Sequence, residues 1–209
     1  MCSAYEKYLE RRMKILYYLI SECHPEGKVV YDLGASSTNA ISNGIKTKNT
    51  VKFDIMDDKY PDIIVDLNEK IPAPSRTADI CIAGELIEHL YYSNNFLKEV
   101  RRVLKKEGCL LVTVPNACSI KYRLLMLFGR LGSNLAKADE QNENATIRKG
   151  DGHVRDFNLK EIKNLLLKNG FRIERVVTTG IAARFVFIPA CLIPKTFGDD
   201  IIIKARVEK

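Results

Sequence analysis

Short apolar runs alternate with amphipathic helical patterns along most of this 209-residue chain, and that alternation limits its folds more than any other feature. Val29 to Leu33, Thr50 to Asp54, Ile63 to Val65, Ala78 to Ala83, Cys109 to Val114, Phe171 to Val177 and Ile201 to Val207 read as strands. Their near-continuous apolarity predicts burial on both faces. Helical spacing predicts helices over Tyr5 to Cys23, Ser36 to Ile45, Tyr92 to Lys106 and Asn158 to Lys168. The last has Asn158 as N-cap and Glu161 as its capping-box partner. Strands alternating with helices predict an α/β fold with a mainly parallel sheet.

The length suits one domain over residues 1–209, opened by a helix within 1–25. Two stretches break the rhythm. Residues 119–152 are long and end polar, which predicts a cap or loop over the strand ends. Residues 181–197 form an apolar insertion before the last strand. An apolar segment of that kind fits a lipid-linked or otherwise hydrophobic acceptor, or a dimer contact.

Thirty-three Lys and Arg against 26 Asp and Glu give a net charge of +7. The densest cations, Arg101, Arg102, Lys105 and Lys106, lie toward the end of an expected helix, where the dipole favours them without any ligand. No basic, aromatic-rich module points to nucleic acid. None of the six cysteines has CxxC spacing, so neither a zinc site nor a disulfide framework is expected. A reducing cytoplasm is the simplest compartment. The N-terminal stretch lacks a signal-peptide pattern, and the apolar run at 181–194 is too short and broken to span a bilayer.

Parallel sheets collect ligands at the carboxyl ends of their strands. Asp32-Leu33-Gly34-Ala35-Ser36 is expected at such an end, where small residues let the backbone approach a ligand. Asp54 closes the second strand roughly twenty residues later, the usual place of a ribose-binding acid.

Taken in order, the motifs resemble class I S-adenosylmethionine-dependent methyltransferases, the type 11 family in particular. VVYDLGASST (Val29 to Thr38) is similar to that family's first motif, although only Gly34 of its glycines is kept and Ser36 and Thr38 replace others. Asp54 matches the ribose-binding acid, and Asp66-Leu67 the pair at the adenine. ADICIAGELIEHL (Ala78 to Leu90) resembles the fourth-strand motif. FLKEVRRVLKKEGCLLVTVPN (Phe96 to Asn116) and HVRDFNLKEIKNLLLKNGF (His153 to Phe171) resemble the later helix-strand units. The resemblance implies a Rossmann-like, seven-stranded, mainly parallel sheet with helices on both faces. It implies S-adenosylmethionine as cofactor, held by Asp32, Gly34, Ala35, Ser36, Asp54, Asp66, Leu67, Gly84 and Glu85.

Glu85, Glu88 and His89, with His153 from the loop above, are similar to the ExxEH metal motif of some O-methyltransferases and would hold a divalent cation. The competing reading is local packing, which type 11 members without a known metal also show. His153 is a candidate general base, or a local cap. Asn116, Tyr122 and Arg123 are candidate acceptor contacts. The expected activity is methyl transfer to a small-molecule, glycan or lipid-precursor acceptor, at oxygen or nitrogen. Two alternatives stand beside it: a metal-assisted RNA 2′-O-methyltransferase, and a non-catalytic homologue that keeps the fold.

Overall fold

The structure is a computed structural model and describes residues 4–35, 41, 44–57, 61–130, 153–183 and 186–208. Helix α1 spans Ala4–Ser21. The strands that follow are β1 (Val30–Leu33), β2 (Thr50–Asp54), β3 (Ile63–Ile64) and β4 (Ala78–Gly84). A 3-10 turn at Ile87–His89 leads to α2 (Ser93–Val103), β5 (Leu104–Pro115) and α3 (Ile120–Leu127). Next come α4 (Leu159–Lys168), β6 (Phe171–Thr178), a hairpin of β7 (Ile181–Ala183) and β8 (Val186–Ile188), and β9 (Asp200–Val207).

Seven strands form one sheet in the order β3-β2-β1-β4-β5-β9-β6. All run parallel except β9, which is antiparallel to both neighbours. Order reverses between β1 and β4, so the carboxyl ends of these central strands form the crevice where ligands bind in such sheets. This is the sheet that the resemblance implies.

Alternation along each strand feeds two cores. Tyr31, Leu33, Cys81, Leu110 and Val112 face Phe96, Leu97 and Val100 of α2 and Ile162 and Leu166 of α4. Val30, Ile80, Ile82, Leu111 and Ile202 face Leu16, Leu19 and Ile20 of α1. Burying side chains of this size stabilises by roughly 1.5–3 kcal/mol each. Helix α4 starts as its sequence predicts, since Asn158 Oδ1 accepts from the Glu161 N–H at 3.0 Å and Glu161 Oε2 accepts from the Asn158 N–H at 3.1 Å.

Helix α2 stops at Val103, three residues earlier than helical spacing suggests. Leu104 is already extended and pairs with Ala78, so tertiary pairing outweighs the helix propensity of the Lys-rich tail. Lys105 and Lys106 therefore belong to β5, and Lys105 pairs with Asp79 at 2.7 Å. Of residues 119–152, α3 and the residues up to 130 are described. The expected helix over Ser36 to Ile45 lies largely outside the described residues. The apolar 181–197 insertion contains the β7–β8 hairpin and a 3-10 turn at Ala190–Leu192.

Candidate functional site

The crevice begins where β1 ends. The Gly34 and Ala35 N–H groups both donate to the Phe53 carbonyl, at 2.8 and 3.1 Å, which bends the chain sharply off the strand. Gly34 has φ +74°, and a Cβ there would sit 2.9 Å from Leu86. Glycine meets both demands at once. Asp32 is buried at the same end. Asp54 closes β2, buried, with Oδ1 accepting from the Met56 N–H at 2.9 Å. Asp66 turns the chain after β3, its Oδ1 accepting from the Asn68 backbone and side-chain amides at 2.9 Å. The Leu67 side chain packs within the core cluster. Ser36 and Thr38 lie outside the described residues.

The end of β4 carries the most unusual geometry. Gly84 lets Ile41 approach to 2.9 Å from where a Cβ would be. Glu85 follows in the left-handed region with φ 50°, uncommon for a residue with a side chain. Its N–H donates to Thr113 Oγ1 at 3.0 Å, and the Thr113 hydroxyl donates to Glu85 Oε1 at 2.8 Å. Its other oxygen lies 3.2 Å from Arg12 Nη1. Burial raises the Glu85 pKa, opposed by Arg12 and Thr113.

Glu88, one turn further, is 1 % exposed, and among the described residues neither carboxylate oxygen has a hydrogen-bond partner. Burial, reinforced by Glu85, holds its pKa well above the carboxylate range. The Glu88 carbonyl accepts from the Val154 N–H at 3.0 Å, which brings the 153–157 segment over the turn. His89 and His153 then meet edge to face, ring centroids 4.8 Å apart. One ligand atom each from Glu88, His89 and His153 lie within 4.8 Å of one another. Burial lowers the His153 pKa, helped by His89, so the neutral imidazole is favoured. Glu85, expected in this group, is not part of it, because its carboxylate is turned toward Arg12 and Thr113.

Two of the three expected acceptor contacts are occupied structurally. Asn116 Nδ2 donates to the Thr196 and Gly198 carbonyls at 3.0 and 2.8 Å, and its Oδ1 accepts from the Cys118 N–H. It ties the end of β5 to the segment before β9. Arg123 donates to the Cys118 carbonyl at 2.7 Å and stacks over the Phe197 ring. Tyr122 is half-buried near Asp156, Asp199 and Asp200; burial first and then these charges raise its pKa.

Three residues of the site escape sequence reasoning. Asp200 opens β9 and, because β9 is antiparallel, lies beside Pro115 at the carboxyl edge. Burial and Glu85 push its pKa up to about 8. Tyr8 donates to its carboxylate, and Arg12 Nη1 lies 3.8 Å from it. Tyr8 and Arg12 share a face of α1 at i, i+4 spacing, but only the fold carries that face to the strand ends. The acid Asp200 before an apolar run is the one faint signal in the sequence.

A methyltransferase-domain family model matches residues 5–176. The chain belongs to the class I S-adenosylmethionine-dependent methyltransferases. The matched domain is close kin of the type 11 family that the motifs resemble. The human mitochondrial ubiquinone biosynthesis O-methyltransferase is 27% identical over 150 residues, 69% of this chain and 38% of that protein. The methyltransferase described here thus spans well under half the length of that relative. Among solved structures, a Burkholderia thailandensis 1,6-didemethyltoxoflavin-N1-methyltransferase, with its substrate and S-adenosylhomocysteine bound, aligns with TM-score 0.59 and 12% identity over 94% of this chain and 78% of that one. An S-adenosylmethionine-dependent methyltransferase from Aquifex aeolicus aligns with TM-score 0.52 and 17% identity, covering 87% of this chain and 83% of that one. At these identities the two structures support the fold alone. Among the described residues, no helix is long and apolar enough to cross a membrane.

Proposed function

We propose that this methyltransferase alkylates an apolar or lipid-linked small-molecule acceptor, at an oxygen or nitrogen brought to the carboxyl edge beside Glu85 and Glu88. The observation that carries this reading is the juxtaposition of the buried donor-side acids Asp32 and Asp54 with the Glu85, Glu88, His89, His153 and Asp200 cluster at the strand ends. S-adenosylmethionine supplies a methyl group already activated on sulfonium, so the chain's task is mainly alignment. Asp54 is placed to accept from ribose hydroxyls. The tight turn at Gly34 and Ala35 offers backbone to the amino-acid end of the donor, with Asp32 behind it. Asp66 and Leu67 stand at the adenine side, and Gly84 and Glu85 at the transferred methyl.

His153, whose burial favours the neutral ring, is suited to take a proton from an acceptor hydroxyl. The exposed side chains of Leu124, Leu127, Phe128 and Leu192 support an apolar acceptor, since Arg123 and Phe197 link α3 to the segment carrying Leu192. Calorimetry with S-adenosylmethionine and S-adenosylhomocysteine tests the donor site. Micromolar or tighter binding, weakened at least tenfold in Asp54→Ala, supports it. Undetectable binding by the folded wild type overturns it.

The convergence of Glu88, His89 and His153 favours a second reading, in which a divalent cation at these three residues polarises an acceptor hydroxyl. Their donor set, one carboxylate and two imidazoles, suits such an ion.

A further inference from the structure

Cys23 follows α1 and Cys109 lies in β5 opposite Ile80, at the amino end of the sheet and far from the crevice. Both are free and buried, and their Sγ atoms are 2.9 Å apart. A disulfide bond is about 2.05 Å long, so closure needs a movement of roughly 1 Å. Both residues are at most 2 % exposed, and both line a surface pocket together with Lys28, Lys105, Lys106 and Arg206 and the acids Asp79 and Glu107. Cations outnumber acids there, which favours an anionic oxidant and a thiolate.

The two sulfurs differ in character. The thiol–thiol contact with Cys109, with support from Lys204, Arg206 and Lys28, brings the Cys23 thiol down to about 7 against the opposing effect of burial. The same contact and burial push the Cys109 thiol up. One sulfur is thus set to attack and the other to resolve.

We infer that Cys23 and Cys109 form a reversible redox pair, closed by an anionic low-molecular-weight disulfide such as oxidised glutathione. The Cys23 thiolate attacks one sulfur of the oxidant, whose S–S bond breaks and releases one thiolate. Cys109 then gives up its proton and attacks the Cys23 sulfur of the mixed disulfide, releasing the second thiolate. The protein loses two protons and two electrons, and the oxidant takes them up to become two thiols. The bond staples the end of α1 to β5, and the amino-terminal half of α1 carries Tyr8 and Arg12.

The test incubates the reduced, folded wild-type chain with oxidised glutathione, blocks remaining thiols after denaturation, and maps peptides by mass spectrometry. The expected result is a cross-linked pair of peptides containing Cys23 and Cys109, reversed by dithiothreitol, with a formation rate that rises with pH through about 7. In Cys109→Ser the reaction should stop at a glutathione adduct on Cys23. Recovery of Cys23 and Cys109 both blocked, or a stable adduct on Cys23 in the wild type, would overturn the inference. The readout is independent of methyl transfer, so its failure leaves the donor-site reading untouched.

Discussion

Arg12, on the N-terminal helix, holds the Glu85 carboxylate at 3.2 Å across the mouth of the crevice and faces Asp200 at 3.8 Å. One guanidinium thereby compensates two carboxylates whose burial opposes ionisation. Removing it leaves both without their cation, and the cost of that exceeds the value of a surface pair. Arg12→Ala should therefore destabilise by about 1–3 kcal/mol at pH 8, the partial exposure of the pair keeping the figure below that of a fully buried one. At pH 5, below the value of about 8 to which Asp200 is raised, that carboxyl carries a proton and the loss should shrink. Urea unfolding at both values checks this, and an equal loss at each pH would show that Arg12 acts only through packing.

Glu88 should make the protein less stable as pH rises. Burial raises its folded pKa, while the unfolded side chain ionises near the ordinary value of about 4.3. Between those values the native state binds the extra proton, so stability declines with increasing pH. Asp200, raised to about 8, acts in the same direction from about 3.9 upward. Glu88→Gln removes one of these contributions while keeping the shape. Its melting temperature should match the wild type near pH 4 and exceed it at pH 8. Parallel melting curves across that range would show that Glu88 is not held protonated.

The strands were legible because a parallel sheet buried on both faces writes itself as short apolar runs, and the α4 start because its capping box is local. Longer-range competition was not legible. Leu104-Lys105-Lys106-Glu107 has good helix propensity, yet Leu104 pairs with Ala78 and turns the segment into strand. The expected donor-side residues Asp32, Asp54 and Gly84 follow a linear order of motifs, each on its own strand, which a sequence displays directly. Tyr8, Arg12 and Asp200 come from the two ends of the chain and converge only because β9 runs antiparallel. A sequence does not show that the backbone carbonyls of 196 and 198 take the Asn116 side-chain amide, or that Arg123 gives its Nε–H to the carbonyl of 118.

A cation at Glu88, His89 and His153 makes a separate prediction. An ion that binds only the native state at 100 times its Kd stabilises it by about 2.7 kcal/mol. Millimolar magnesium or manganese should then raise the melting temperature of the wild type but not of His153→Ala, and EDTA should reverse the gain. If neither ion shifts melting and Glu88→Ala leaves activity unchanged, the metal reading fails and His153 acts, if at all, as a base alone.

Gly34 joins stability to donor binding at one position. An alanine there must adopt φ +74° and bring its Cβ to 2.9 Å from Leu86. The left-handed backbone costs an L-residue about 1–2 kcal/mol. Leu86 Cδ1 is the tip of a flexible side chain and can move aside, while Leu86 Cβ and Cγ at 3.3 Å need only a small shift, so the backbone term should dominate. The Gly34→Ala chain should still fold, with its unfolding free energy lowered by about that amount. If the proposed donor site includes this turn, the added methyl also crowds it, so S-adenosylhomocysteine binding should weaken more than the stability loss explains, by tenfold or more, about 1.4 kcal/mol. Calorimetry on the folded variant separates the two effects. Unchanged affinity beside the expected loss of stability would place the donor away from this turn.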